Sequence, residues 1–184
     1  QPVVGDILLF NRHSWVVGEY AAKLTRKLLK RHPGFEQTKL PFSPQEMEYA
    51  GGSHDIAKLV LHSNYQYAHE HMAYLLLEEN GCPDLARLTQ PHQPGEETVL
   101  EMIHEAGDFL DVNVNDFCHN RPHQFASDLI MLADMSCGIN YMGPVARING
   151  IRARYPETAH LVSGINDPER GEKRILGIER KVVE

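Results

Sequence analysis

The stretch that most constrains this chain is Gly51–Lys58, which has the sequence GGSHDIAK. Three small residues precede a His-Asp pair, and they allow another helix or a ligand to approach the backbone closely. Neighbouring residues of a helix point about 100° apart. In a helix, His54 and Asp55 would therefore not face one core together, but both could hold a metal ion beside the helix.

Apolar residues recur at helical spacing along most of the chain, whereas the alternation typical of strands is nearly absent. The pattern predicts an all-α fold of six or more helices. The expected helices are 13–30, 43–62, 67–79, 83–88, 96–109, 123–139 and 145–155. Ser43, Pro44 and Glu46 have the spacing of an N-cap, a first helical residue and a capping box.

Length, charge and cysteine content narrow the class of protein. With 184 residues the chain is long enough for one domain with a packed core. Its three cysteines are widely spaced and form no CxxC, which disfavours disulfides and thiolate zinc sites. The net charge of −7 disfavours nucleic-acid binding, and no apolar run is long enough to span a membrane. We therefore expect a cytoplasmic protein, and the sequence leaves its oligomeric state open.

The His-Asp pair has further histidines and an aspartate on both sides along the sequence. Together they follow the order H…HD…H…H…D, with HDIAK at the centre and LAD at the end. The members are His13, His54, Asp55, His69 or His71, His92 and Asp134.

This order and its HDIxK centre resemble the HD superfamily of metal-dependent phosphohydrolases. The resemblance runs from about His13 to Tyr155, and HDIAK differs from the commonest form, HDIGK, by Ala57. It implies a single HD domain over residues 1–184, a helical bundle with its core at about 13–155 and a C-terminal tail at about 156–184.

The residue types indicate which ions could bind. Imidazole and carboxylate suit borderline or hard divalent ions such as Mn, Fe, Co, Ni, Zn or Mg, and the absence of thiolates fits that choice. The resemblance implies one or two such ions. It assigns His13, His54, Asp55 and Asp134 as shared ligands, contributed by three separate helices.

In the variants of the family with two ions, Asp55 bridges the ions and two further histidines hold the second one. These histidines correspond to His69 and His92 in this sequence. His71 lies two residues from His69 on a different face of the helix and is the alternative to it.

The chemistry that such a site suits is hydrolysis of a phosphate ester, because a bound metal activates water and relieves negative charge on phosphoryl oxygens. We expect Asp55 and Lys58 to be catalytic, with Lys58 also placed to contact a phosphate oxygen. Arg121, His123 and Arg147 are further candidates for substrate binding. The expected substrate is a small phosphorylated molecule, such as a nucleotide, with either a monoester or a diester.

Two alternatives remain. Di-iron oxygenases of the HD type use the same ligand order, although they resemble one another in a lysine about one turn after the last histidine, where this chain has Glu96. HDOD domains, which are signalling modules that commonly lose the metal ligands, resemble the stretch around HDIAKLVL. Cyclic-dinucleotide phosphodiesterases and ppGpp hydrolases fit less well, because the GYP motif and the HDxxED motif are absent.

Overall fold

A computed structural model of the chain describes residues 4–33, 42–61, 69–89, 121–154, 176–177 and 180. The predicted helix 96–109 lies outside these residues. The α-helices in the described part are α1 (Val4–Arg31), α2 (Pro44–Ser53), α3 (His69–Glu79), α4 (Pro83–Leu88), α5 (Arg121–Asp134) and α6 (Pro144–Arg154). A short 3-10 helix covers Ile56–Leu59, and the same residues contain no β-strand. The all-α prediction is confirmed, whereas the HD type of bundle stays a prediction.

Helix α5 forms the centre of the core. Residues 129–133 are all buried, so this helix is covered on every side rather than along one stripe. Helix α1 packs against α2 and α5, and α5 also contacts α2 and α4. The core therefore joins the three segments that carry His13, His54 and Asp134. None of the helices in the described ranges is long and apolar enough to cross a membrane.

Helix α1 is longer than the sequence pattern predicted, because it begins at Val4 rather than near His13. No proline lies between Val4 and His13, and extending an existing helix costs far less than starting a new one. The buried stripe Val17, Leu24 and Leu28 holds the helix on the core. As a result, His13 lies in the interior of α1, where its backbone is fixed on both sides.

Helix α2 begins as predicted but ends earlier. Ser43 Oγ accepts a hydrogen bond from the Glu46 N–H (3.2 Å), and the Ser43 N–H donates to Glu46 Oε2 (2.6 Å), which confirms the capping box. The predicted continuation to residue 62 is wrong, because the α-helix ends at Ser53. Its last residues are weak helix formers, and Ser53 Oγ donates to the Tyr49 carbonyl.

The chain turns at His54 and Asp55 before entering the 3-10 helix. Asp55 has φ −102° and ψ 9°, outside the α-helical region. In the continuous helix predicted from the sequence, the neighbouring side chains of His54 and Asp55 would point about 100° apart. The structure has a turn at these residues instead. In this turn both side chains point inward, and both residues are buried.

Helix α5 also differs from its prediction at both ends. It begins at Arg121 and ends at Asp134, whereas the pattern predicted 123–139. A tight turn follows, in which the Ser136 carbonyl accepts from Met142 N–H and Gly143 N–H. Gly143 has φ +86°, a conformation that favours glycine. The turn ends the helix at the carboxylate and returns the chain towards α1.

The crossing of α1 and α2 is as close as the small residues predicted. A Cβ added to Gly18 would lie 2.6 Å from the Glu48 carbonyl oxygen, and one added to Gly51 would lie 3.0 Å from Gly18 Cα. The two backbones are therefore in direct contact. This contact fixes how far His13 on α1 lies from the turn that ends α2.

Substituting Gly18 by Ala should destabilise the protein by about 1–3 kcal/mol, because the added methyl group meets backbone atoms. The matched control is Gly52→Ala, where the added Cβ meets only the Ser14 carbonyl oxygen at 3.9 Å. The control should gain about 0.5–1 kcal/mol from helix propensity. Urea unfolding measures both. Equal or greater stability of Gly18→Ala would show that the crossing is not tight.

Candidate metal centre

Four side chains from three segments converge inside the core. His13 comes from α1, His54 and Asp55 from the turn after α2, and Asp134 is the last residue of α5. His54 is 0% exposed, Asp55 2% and Asp134 7%. Burying two carboxylates costs free energy unless positive charge or hydrogen bonds compensate it. The cluster therefore needs a compensating cation.

The distances between these side chains fit one shared ion. Asp134 Oδ1 lies 3.1 Å from His13 Nε2 and 3.8 Å from His54 Nε2. Asp55 Oδ2 lies 3.5 Å from His54 Nε2 and 3.9 Å from His13 Nε2. Metal–ligand bonds of about 2.0–2.2 Å place neighbouring ligand atoms about 3–4 Å apart. The part-buried His13 and the buried His54 and Asp55 could thus hold a metal ion, and Asp134 lies within ligand distance of both histidines.

Backbone carbonyls fix the orientation of both imidazoles. His13 Nδ1 lies 3.0 Å from the Gly138 oxygen, and His54 Nδ1 lies 2.6 Å from the Gly51 oxygen. A carbonyl only accepts hydrogen bonds, so each Nδ1 carries the hydrogen and donates it. In the neutral ring, Nε2 then presents its lone pair to the carboxylates. Metal-binding histidines are commonly held in this way.

Burial, hydrogen bonds and neighbouring charges shift the pKa values of His13, His54 and Asp134. Burial lowers the pKa of His13, but the hydrogen bond to Asp134 and the charge of that carboxylate outweigh it, and the pKa is raised above 6.5. Complete burial lowers the pKa of His54. Burial opposes ionisation of Asp134, but the hydrogen bond with His13 and the nearby histidines hold its pKa below the usual range. Of the two histidines, His13 therefore takes up a proton more readily.

The two carboxylate oxygens of Asp55 face different groups. Its pKa is well below the usual range despite burial, because His54, Lys58 and His69 surround it. Lys58 Nζ lies 2.6 Å from Oδ2, and His69 Nε2 lies 3.1 Å from Oδ1. One oxygen thus faces the four-residue cluster and the other faces His69 at the start of α3. This arrangement suits a carboxylate shared by two ions.

The other predicted site residues have different outcomes. His92 lies outside the described residues, as does the side chain of His71. Arg121 and His123 both lie in the first turn of α5, which begins two residues before the predicted start at His123. Their side chains are outside the described part of the chain.

Arg147, on α6, lies near the cluster without contacting it. The residue is half-buried, and its Nε forms no hydrogen bond within the described residues. It lies close enough to influence Cys137, whose thiol pKa is raised to about 12 by burial and by Asp134, while the charge of Arg147 opposes this rise. Within the described ranges no ion pair links Arg147 to the four clustered residues. Its role in substrate binding stays a prediction.

Sequence reasoning missed the groups that support the histidines. Arg12 Nε donates to the Ile139 carbonyl (3.1 Å), and a second guanidinium nitrogen donates to Asn140 Oδ1 (3.2 Å). These bonds hold the turn whose Gly138 carbonyl anchors His13. Backbone acceptors carry no sequence signature. The only available signal was an arginine directly before His13.

Comparisons of the chain with protein-family models, curated proteins and solved structures give no match. The HD superfamily therefore stays a resemblance carried by the residues themselves.

At a pH below the pKa of His13, binding of a divalent ion should release about one proton, because the proton on His13 Nε2 must leave. The raised pKa of His13 means that this proton is held to a higher pH than in a free histidine. Affinity should rise by about tenfold per pH unit below that pKa and level off above it. Isothermal titration calorimetry in buffers of different ionisation enthalpy measures the proton release.

A control for this experiment is His32→Ala, which removes an exposed histidine at the end of α1 and should keep the wild-type profile. Metal affinity that is independent of pH over this range, or proton release that His32→Ala abolishes, would contradict the assignment of His13.

Proposed function

We propose that the protein is a metal-dependent phosphohydrolase that cleaves a phosphate monoester or diester of a small molecule such as a nucleotide. The observation that carries the proposal is the convergence of His13, His54, Asp55 and Asp134, with both imidazoles anchored at Nδ1. One divalent ion, or two if His69 and His92 hold a second, would supply activated water and a Lewis acid.

The residues of the chain have distinct roles in this proposal. His13 and His54 would present Nε2 to the ion, with orientation set by backbone carbonyls. Asp55 and Asp134 supply negative charge and stay ionised in spite of burial. Lys58 lies beside Asp55 and is part-exposed, so its ammonium group can reach a phosphate oxygen from the solvent side. The packed core around the cluster fixes the positions of these groups before substrate binds.

The buried cluster also bears on the two alternative functions, a non-catalytic signalling module and a di-iron oxygenase. A non-catalytic module that had lost its ligands would have no need to keep two ionised carboxylates and two oriented imidazoles inside its core. A di-iron oxygenase would use the same groups, and the second side of Asp55, facing His69, suits two irons as well as two hydrolytic metals. The test of function therefore includes oxygen consumption.

Turnover of para-nitrophenyl phosphate and bis-para-nitrophenyl phosphate, with Mn, Fe, Co, Ni, Zn and Mg in turn, tests the proposal and separates a monoesterase from a diesterase. Asp55→Ala should lower kcat by at least about 100-fold, because it removes a ligand. The matched control is Asp84→Ala, which removes an exposed carboxylate paired with Arg87 and should leave turnover unchanged.

Hydrolysis that persists in Asp55→Ala with the fold intact would overturn the proposal. Iron-dependent oxygen uptake with a candidate substrate, in the absence of phosphate release, would replace it with the oxygenase.

A further inference from the structure

Asp55 Oδ2, the oxygen that faces His13 and His54, already forms an ion pair with Lys58. Lys58 Nζ lies 2.6 Å from Oδ2, closer than His54 Nε2 at 3.5 Å or His13 Nε2 at 3.9 Å. This is a charge-assisted hydrogen bond of short length. A metal ion held by His13 and His54 would therefore share its carboxylate oxygen with an ammonium group.

The backbone delivers the ammonium group to that position. Lys58 N–H donates to the Asp55 carbonyl (2.9 Å) in the 3-10 helix. A 3-10 helix has three residues per turn, so side chains three positions apart are eclipsed. The 3-10 helix thus places Lys58 over Asp55.

The two partners of this ion pair have different freedom. The Asp55 side chain is only 3% exposed, whereas that of Lys58 is 35% exposed. The carboxylate is fixed in the core, but the flexible lysine stem can carry its ammonium group outwards into water. If the pair separates, Lys58 is the partner that moves.

The charge of the cluster gives a reason for the pair to separate. Asp55 and Asp134 contribute two negative charges, and Lys58 holds one positive charge on Asp55. A divalent ion bound while Lys58 stays in place would bring three positive charges against two negative ones in a buried site. Outward movement of Lys58 lowers that excess, because like charges near one oxygen repel strongly where water is excluded.

We propose that Lys58 is the resident cation of the metal-free site, that a divalent ion displaces it from Asp55, and that this exchange sets the affinity for the metal. This inference rests on the metal site of the proposed function and deepens it. The displaced ammonium group is then available to a phosphate oxygen only when the ion is in place. Asp55 Oδ2 would thus bind Lys58 in the metal-free protein and the divalent ion in the metal-bound protein.

The test compares Mn²⁺ affinity, measured by calorimetry, in the wild type, Lys58→Met and Lys58→Arg. Lys58→Met keeps the apolar stem and removes the competing charge, so its affinity should be at least about tenfold tighter. Lys58→Arg keeps the charge and should bind close to the wild-type affinity. The matched control, Arg87→Met, breaks another ion pair of i,i+3 spacing, with Asp84, and should leave the affinity unchanged.

A second measurement uses the wild type alone, so it does not depend on how a variant folds. The rate at which an amine-specific acetylating reagent modifies Lys58 is followed by mass spectrometry with and without Mn²⁺. The rate should rise several-fold when the ion binds, while the rates at exposed lysines such as Lys30 stay constant.

The outcomes separate this inference from the proposed function. If the wild type binds Mn²⁺ but Lys58→Met binds no tighter, or bound Mn²⁺ leaves the acetylation of Lys58 unchanged, the exchange is overturned and the metal site stands. If neither the wild type nor the variants bind a divalent ion, the metal site fails, and the exchange and the proposed function fail with it.

Discussion

The feature on which the rest depends is the pair of hydrogen bonds from His13 and His54 to the carbonyls of Gly138 and Gly51. They determine the tautomer of each neutral ring and turn both Nε2 atoms towards Asp55 and Asp134. Without these bonds the rings could rotate and direct either nitrogen at the carboxylates. With them, both Nε2 atoms and the two carboxylates face a common point, where a cation is favourable.

The fold supports this arrangement by bringing three distant segments into contact. Gly18 and Gly51 let the backbones of α1 and α2 touch, and the turn after α5 returns to α1, where Arg12 holds it. The early end of α2 matters equally, because it lets neighbouring residues 54 and 55 both point inward and places Lys58 over Asp55. Close packing, a helix break and a backbone turn therefore act together on one site.

Sequence patterns predicted the parts that depend on local chemistry. The capping box at Ser43, the helical class and the site of close helix approach followed from residue type and spacing, and the convergence of His13, His54, Asp55 and Asp134 followed from a family resemblance. The turn at Asp55 could not be predicted from the sequence. Weak helix propensity in Gly51, Gly52 and Ser53 shows where a helix can end but not whether it ends there. The Gly138 acceptor was also missed, since a carbonyl is common to every residue.

Anomalous X-ray scattering from crystals of the Mn²⁺-loaded protein tests whether one ion joins the four side chains. We expect a peak within about 2.0–2.3 Å of His13 Nε2, His54 Nε2, Asp55 Oδ2 and Asp134 Oδ1. A Mn²⁺ peak elsewhere, with His13 still directed at Asp134 and no density between the four side chains, would contradict this arrangement.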